Sequence, residues 1–184
     1  MALVFLETKV IARDVSFFDL LRVLWSSLKI KWAMLKPFEG KWPNASAISH
    51  CQITQDDPLR FLVLGDGYHT FEGRPVKLKK YFGFPWSRVI INPEIVWHST
   101  NAIKSVEGCY SFSKQKTRRV QRWEIVDCTY WTFFGKRTKK FYLYRAAVLQ
   151  HEIDHFNGIT IEDRYFNKKI EYGLDLNLES SIIS

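Results

Sequence analysis

Residues 151–155 read His-Glu-Ile-Asp-His. On an α-helix, residues four apart share a face, so His151 and His155 can point at one ion while Glu152 sits on the neighbouring turn. A divalent ion held this way lowers the pKa of a bound water to roughly 7 and so makes a nucleophile at neutral pH. Glu152 is near enough to handle that water's proton. The plainer reading is a helix whose histidines only pack or hydrogen-bond. A catalytic site of this kind needs a third protein ligand. In extended zinc-protease motifs it is a histidine six residues after the second; here Gly158 keeps its place in that pattern but Ile161 stands where the histidine belongs. The downstream acids Glu162, Asp163, Glu171 and Glu179 have no helical context that supports them. Cys109, in Val-Glu-Gly-Cys-Tyr-Ser-Phe, is the better candidate, because a thiolate with two imidazoles suits zinc or iron(II). A lone cysteine is more often core packing; the helix motif reverses that balance.

These residues need elements to position them. The helix with the histidines is expected over about 143–157, stopped by Gly158. Ahead of it, Thr-Tyr-Trp-Thr-Phe-Phe and Phe-Tyr-Leu-Tyr flank a basic, Gly-containing turn, a hairpin pattern whose tip carries Lys136, Arg137, Lys139 and Lys140. Residues 118–128 alternate Val120, Arg122, Glu124 against Gln121, Trp123, Ile125 and read as one strand of mixed pattern. Residues 59–65 and 88–99 read as further strands, with Pro93 at a bend or edge. Residues 66–88, with three Gly, two Pro and Lys77, Lys79 and Lys80, read as a long loop. Near the start, Asp14 is placed to cap a helix over about 16–35 with Phe17, Leu20, Leu21, Leu24 and Leu28 on one stripe. Residues 36–44 then break it with two prolines and a glycine. The organisation is α+β, with strands gathered before one buried helix.

Composition suits a single globular domain over 1–184, with residues 165–184 as a loosely packed tail. Hydrophobic residues are 46% and aromatic ones 16% of the 184, which argues for a core of bulky side chains and against disorder. The net charge of +8 draws the chain toward polyanions such as nucleic acid or ribosomes. Three cysteines, Cys51, Cys109 and Cys128, cannot all pair with one another, which favours a reducing compartment. Residues 17–35 are apolar but interrupted by Asp19, Arg22, Lys29 and Lys31, so they are not a membrane span. No secretion signal is evident, and the expectation is a soluble, cytoplasmic monomer that does not engage membranes.

Glu-Gly-Cys-Tyr-Ser at 107–111 and His-Glu-Ile-Asp-His at 151–155 together resemble the second and third signature motifs of the peptide deformylases, at the interval usual in that family. Val-Ile-Ile-Asn-Pro-Glu-Ile ahead of the cysteine adds to the likeness, which is dense from about 89 to 164. The resemblance implies antiparallel sheets packed around a central helix with the histidines, and removal of formyl from the N-terminal formyl-methionine of newly made polypeptides. It implies one divalent metal, commonly Fe(II), with Zn, Ni or Co compatible, on Cys109, His151 and His155. Glu152 would move the proton, Gln52 and the backbone N–H of Tyr110 would hold the oxyanion, and Glu107 and Asp154 would orient neighbouring groups.

The family's first motif, Gly-x-Gly-x-Ala-Ala-x-Gln, is altered here. Gln52 keeps the glutamine's place, but Ala45 and Ala47 stand where glycines bring backbone close to the peptide, and Ser49 and His50 replace the alanines. His50 and Cys51 read as packing rather than a second metal site. Tyr144, Ala147 and Val148 precede His151 by seven, four and three residues, so they share its face and can wall a methionine pocket. The basic hairpin is a candidate contact for ribosomal RNA. Two other readings stand beside the deformylase. One is a metalloamidase or protease of different specificity; the other is a deformylase-like protein that binds peptides or ribosomes without turnover.

Overall fold

The computed structural model describes residues 10–35, 45–65, 68–71, 74–77, 88–109, 111 and 117–166. Its centre is a five-stranded antiparallel sheet in the order β1 (Ala47–Ser49), β2 (Phe61–Leu64), β5 (Val89–His98), β8 (Ile125–Thr132) and β9 (Gly135–Tyr142). Two antiparallel pairs stand apart from it: β3 (Tyr68–Phe71) with β4 (Arg74–Lys77), and β6 (Ala102–Gly108) with β7 (Thr117–Trp123). Helices α1 (Leu20–Leu35), α2 (Leu143–Phe156) and α3 (Ile161–Phe166) complete an α+β fold.

Strand side chains alternate between faces, and this sheet buries both. Leu62, Ile90, Ile95, Val126, Cys128 and Phe141 pack with Ala146, Leu149, Ile153 and Phe156 of α2. Phe61, Val63, Val89 and Ile91 pack with Val23, Ile30 and Met34 of α1. Each such large apolar side chain contributes about 1.5–3 kcal/mol when fully buried. The two helices therefore lie on opposite faces of one sheet.

The helix over 16–35 forms, but its cap and buried stripe differ from expectation. Ser16 is the cap, with its backbone N–H and hydroxyl both donating to Asp19 Oδ2 at 2.9 and 2.6 Å; Asp14 pairs instead with Arg60. Val23, Ser27, Ile30 and Met34 are buried, whereas Phe17, Leu21 and Leu28 of the expected stripe face solvent. Residues 66–88 are not all loop, since β3 and β4 pair within them. The stretch 118–128 is two strands in two sheets, broken at Glu124, whose carbonyl accepts from Leu143 N–H at 2.6 Å. The turn of the aromatic hairpin is Phe133–Phe134, so Lys136, Arg137, Lys139 and Lys140 lie along β9 at the sheet's edge and not at a tip. Lysines on an edge strand also oppose edge-to-edge pairing.

Pro93 sits at a register shift of β5, next to Asn92 at φ +47°. Asparagine tolerates that left-handed backbone. Its side-chain amide accepts from Val15 N–H at 2.8 Å and donates to Val15 C=O at 3.0 Å, fastening the chain ahead of α1 to the sheet. Helix α2 ends where Gly158 takes φ +69°. Residues 36–44, Tyr110 and the tail beyond 166 lie outside the described residues. No helix among the described residues is long and apolar enough to cross a membrane.

Candidate metal centre

Two separate stretches converge on one point. Cys109 follows the end of β6, and His151 and His155 lie one turn apart on α2. Cys109 Sγ is 3.1 Å from His155 Nε2, which is 3.1 Å from His151 Nε2. Among the described residues this is the group of donors able to hold a metal, with all three ligand atoms within 4.8 Å of one another. Tetrahedral coordination at about 2.0 Å from nitrogen sets neighbouring nitrogens about 3.3 Å apart, so the cluster has the right dimensions. The fit has a second support. Glu152 is buried against the cluster, and its Oε2 has no hydrogen-bond partner. A buried carboxylate oxygen left so is costly unless something polar meets it.

The titratable groups influence one another. Burial raises the Glu152 carboxyl above its ordinary range, against the charges of His151 and His155. Burial also opposes ionisation of Cys109, but the His155 charge and hydrogen bonds from both histidines outweigh it and hold the thiol well below its usual value. A thiolate is the form that binds metal. His151 is displaced upward: burial works against its charge, but Cys109 and Glu107 more than compensate.

Gln52 is oriented by its own turn. Ser49 donates to Gln52 Oε1 from its backbone N–H at 2.9 Å and its hydroxyl at 3.1 Å. With the oxygen occupied, Nε2 points inward and donates to Cys109 Sγ at 3.5 Å and Ser111 Oγ at 3.2 Å. Ser111 N–H also donates to the sulfur, at 3.4 Å. Tyr110, expected to offer a backbone N–H here, is outside the described residues.

Glu107 and Asp154 belong to a buried network with two residues that sequence reasoning missed. His151 Nδ1 meets Glu107 Oε2 at 2.9 Å, which leaves Nε2 for the cluster. Arg122 grips Glu107 through Nε and Nη2, both at 2.8 Å, and reaches Asp154 Oδ2 through Nη1 at 2.5 Å. Arg164 of α3 holds Asp154 from the other side, with Nε 2.8 Å from Oδ2 and Nη2 closing on Oδ1. Burial opposes the Glu107 charge, yet Arg122 and His151 hold its carboxyl far below the ordinary range. Arg122 had a visible signal, as a charge on the inward phase of an alternating strand; Arg164 had none. Gln150 was also overlooked. Its amide accepts from Trp123 N–H and donates to Trp123 C=O, both at 3.0 Å, clasping β7 to α2.

The remaining expected site residues spread out. Ala47 packs in the α2-side core and Ala45 in the α1-side core. Ala45 C=O lies so near Gly65 that a Cβ there would sit 1.9 Å from it, so the strand beside this segment requires glycine. Tyr144 is buried with its hydroxyl on Ser46, Ala147 is buried and Val148 partly so, packed against the α2-side core. His50 and Cys51 are core residues. His50 Nδ1 accepts from Leu59 N–H at 3.0 Å and its ring stacks on Phe61, while burial pushes the Cys51 thiol up to about 12.

An α+β fold with a Cys-His-His cluster backed by the glutamate of a His-Glu-x-x-His helix defines a class of metal-binding hydrolase-like domains. The comparisons narrow it. The family model described as polypeptide deformylase matches residues 47–171, and the chain belongs to that family. A peptide deformylase of Streptococcus pyogenes is 38% identical over 96 residues, 50% of this chain and 45% of that one. The chain thus spans about half the length of the curated relatives it matches. In fold it is similar to a class I type b peptide deformylase of Acinetobacter baumannii, at TM-score 0.70 and 24% identity over 89% of this chain and 99% of that one. The Met-Ala-Ser-bound structure of such an Acinetobacter enzyme matches at TM-score 0.66 and 23% identity, over 89% and 98%.

Proposed function

We propose that this chain removes the formyl group from the N-terminal formyl-methionine of newly made polypeptides as a metal-dependent peptide deformylase. The observation that carries the reading is the orphaned, buried Glu152 Oε2 beside three converging metal donors. A divalent ion on Cys109, His151 and His155 would supply Lewis acidity at the formyl oxygen and an ionised water near neutral pH. We assign Fe(II) by family membership; the donors also suit Zn, Ni or Co.

The chain's own residues divide the remaining work. Glu152, its carboxyl raised by burial, takes the proton of the attacking water and delivers it to the departing α-amine, a role worth about 10²–10⁴-fold. The C–N bond breaks, and formate and a free amine leave. Gln52 presents only N–H to the formyl oxygen as charge grows there, because Ser49 already occupies its Oε1. Tyr110 N–H is the second donor in this reading. Glu107 keeps His151 Nε2 aimed at the centre, and Asp154, gripped by Arg122 and Arg164, fixes the turn of α2 between the histidines. Tyr144, Ala147 and Val148 wall the methionine pocket, with Ala45 and Ala47 on the peptide's path. Met-Ala-Ser bound to the Acinetobacter relative supports a peptide of that kind as ligand.

In the same reading α2 is the central element of a single domain over 1–184, with 165–184 as its tail. The protein works as a cytoplasmic monomer. The test is to offer formyl-Met-Ala-Ser, acetyl-Met-Ala-Ser and a longer unformylated peptide. Formate from the first alone is expected. Cleavage within the longer peptide would assign a protease instead, and binding without release a domain that has lost turnover.

A further inference from the structure

Helix α1 carries two apolar stripes. Val23, Ser27, Ile30 and Met34 are buried against the sheet. On the opposite side Leu21, Trp25, Leu28 and Trp32 follow one another at spacings of four and three and are exposed, Leu21 at 72% and Trp25 at 66%, with exposed Phe18 in the turn Phe17–Asp19 just ahead of the helix. At 3.6 residues per turn the four on the helix span less than about a third of the circumference and run about 17 Å along it. No acid occurs between Leu20 and Leu35; the helix's charges are Arg22, engaged with Asp57, and Lys29 and Lys31, one on each flank of the stripe.

The sheet extends this surface. Ile91 belongs to the α1-side core and pairs with Trp131, and side chains of paired residues project to the same face. Trp131 pairs in turn with Lys136 of β9, and Lys140, four pairs further on and on the same face, is ion-paired with Asp127 at 2.8 Å and stands over the Trp97 ring at 4.3 Å. Trp97 and Trp131 are half-exposed. One side of the molecule therefore combines an exposed stripe of Phe, Trp and Leu with half-exposed tryptophans and lysines, while His151 and His155 sit on α2, across the sheet.

We propose that this side docks on an anionic bilayer surface, with α1 lying in the headgroup region. Aromatic and leucine side chains on one face, flanked by lysines, are what an interfacial helix needs, with tryptophan favoured at the membrane–water boundary. Its lysines meet lipid phosphates. A second copy fits less well, because it would bring like charges together. A nucleic acid has no use for the leucines between the rings. A helix lying on the surface is distinct from the membrane span that its charges exclude, so this inference replaces the expectation that the protein ignores membranes.

The full chain would be sedimented with phosphatidylcholine vesicles with and without phosphatidylglycerol, while tryptophan emission is followed. Binding to the anionic vesicles alone is expected, with a blue shift and weakening by salt. The double substitution Leu21→Ser with Trp25→Ser should lower the partition by about tenfold or more. The separate change Lys29→Glu should weaken binding while leaving the unfolding midpoint in place, as the double change also should. Equal binding by the double variant, or none by the parent, would overturn the proposal. So would loss of dimer formation or of single-stranded RNA binding in the double variant without any vesicle binding by the parent.

Discussion

The two long helices distribute their residues in opposite ways. Helix α2 takes Glu152, Asp154 and His155 into the interior, together with Glu107 and Arg122 from the strands beside it. Helix α1 leaves Leu21, Trp25, Leu28 and Trp32 in solvent. Exposed single hydrophobes are common, but buried charges and a long apolar patch are the informative departures from the usual partition. On α2 the departure is held by geometry, since Asp154, Glu107 and Arg122 meet counter-charges while His155 and Glu152 face the candidate metal centre. On α1 the exposed side chains are apolar and lie outside both core clusters. The comparison teaches that one helix is shaped by chemistry inside the molecule and the other by something outside it.

Substitutions can break this contrast. Cys109→Ala removes the sulfur donor, and metal content measured after purification without air should collapse, with turnover falling by about 10³-fold or more, about 4 kcal/mol of lost transition-state stabilisation. Arg122→Leu leaves Glu107 and Asp154 facing each other without their shared cation. Breaking a buried pair in this way costs about 3–5 kcal/mol, which calorimetry should record as a midpoint lower by about 10 °C.

His50 sharpens the comparison through pH. Burial lowers its pKa to about 4, since its neutral ring must accept the Leu59 N–H. Between pH 6.5 and 4 the unfolded chain then binds the proton that the folded one refuses. Stability should fall as pH drops through that window, by up to about 3 kcal/mol. His50→Asn, which keeps an acceptor but no titration there, should show a flatter denaturant midpoint across the window than the parent. The smallest effect is on α1: Leu21→Ser should change the unfolding free energy by no more than about 0.5 kcal/mol, since its side chain supports nothing in the folded molecule.

The legibility of these regions differs for physical reasons. The histidine helix, its end at Gly158 and the strands 61–64 and 89–98 follow from local spacing, because helix period, left-handed glycine and strand alternation are properties of adjacent residues; the cysteine partner was legible only from ligand chemistry and the family motif. Gln52 was legible through a motif, but the reason its N–H points inward, the Ser49 clamp on its oxygen, was not. Arg122 meets Asp154 32 positions along the chain and Glu107 15 positions back; such contacts exist only once the sheet and helix have packed. The β3–β4 pair was hidden because Gly and Pro dominate its surroundings. On α1 an apolar count could not say which of two stripes is buried, since the sheet decides that. Glu124 broke an apparently continuous strand for the same kind of reason: the chain changes sheets there.

The most direct test of the central claim is formate release from formyl-Met-Ala-Ser by the parent and by Glu152→Ala, with bound metal counted in both. Turnover in the parent and its loss in the variant by about 10²–10⁴-fold, at unchanged metal content, is the result predicted for a carboxylate that moves the proton and is not a ligand. Equal turnover in the two proteins, or metal lost together with Glu152, would contradict that assignment.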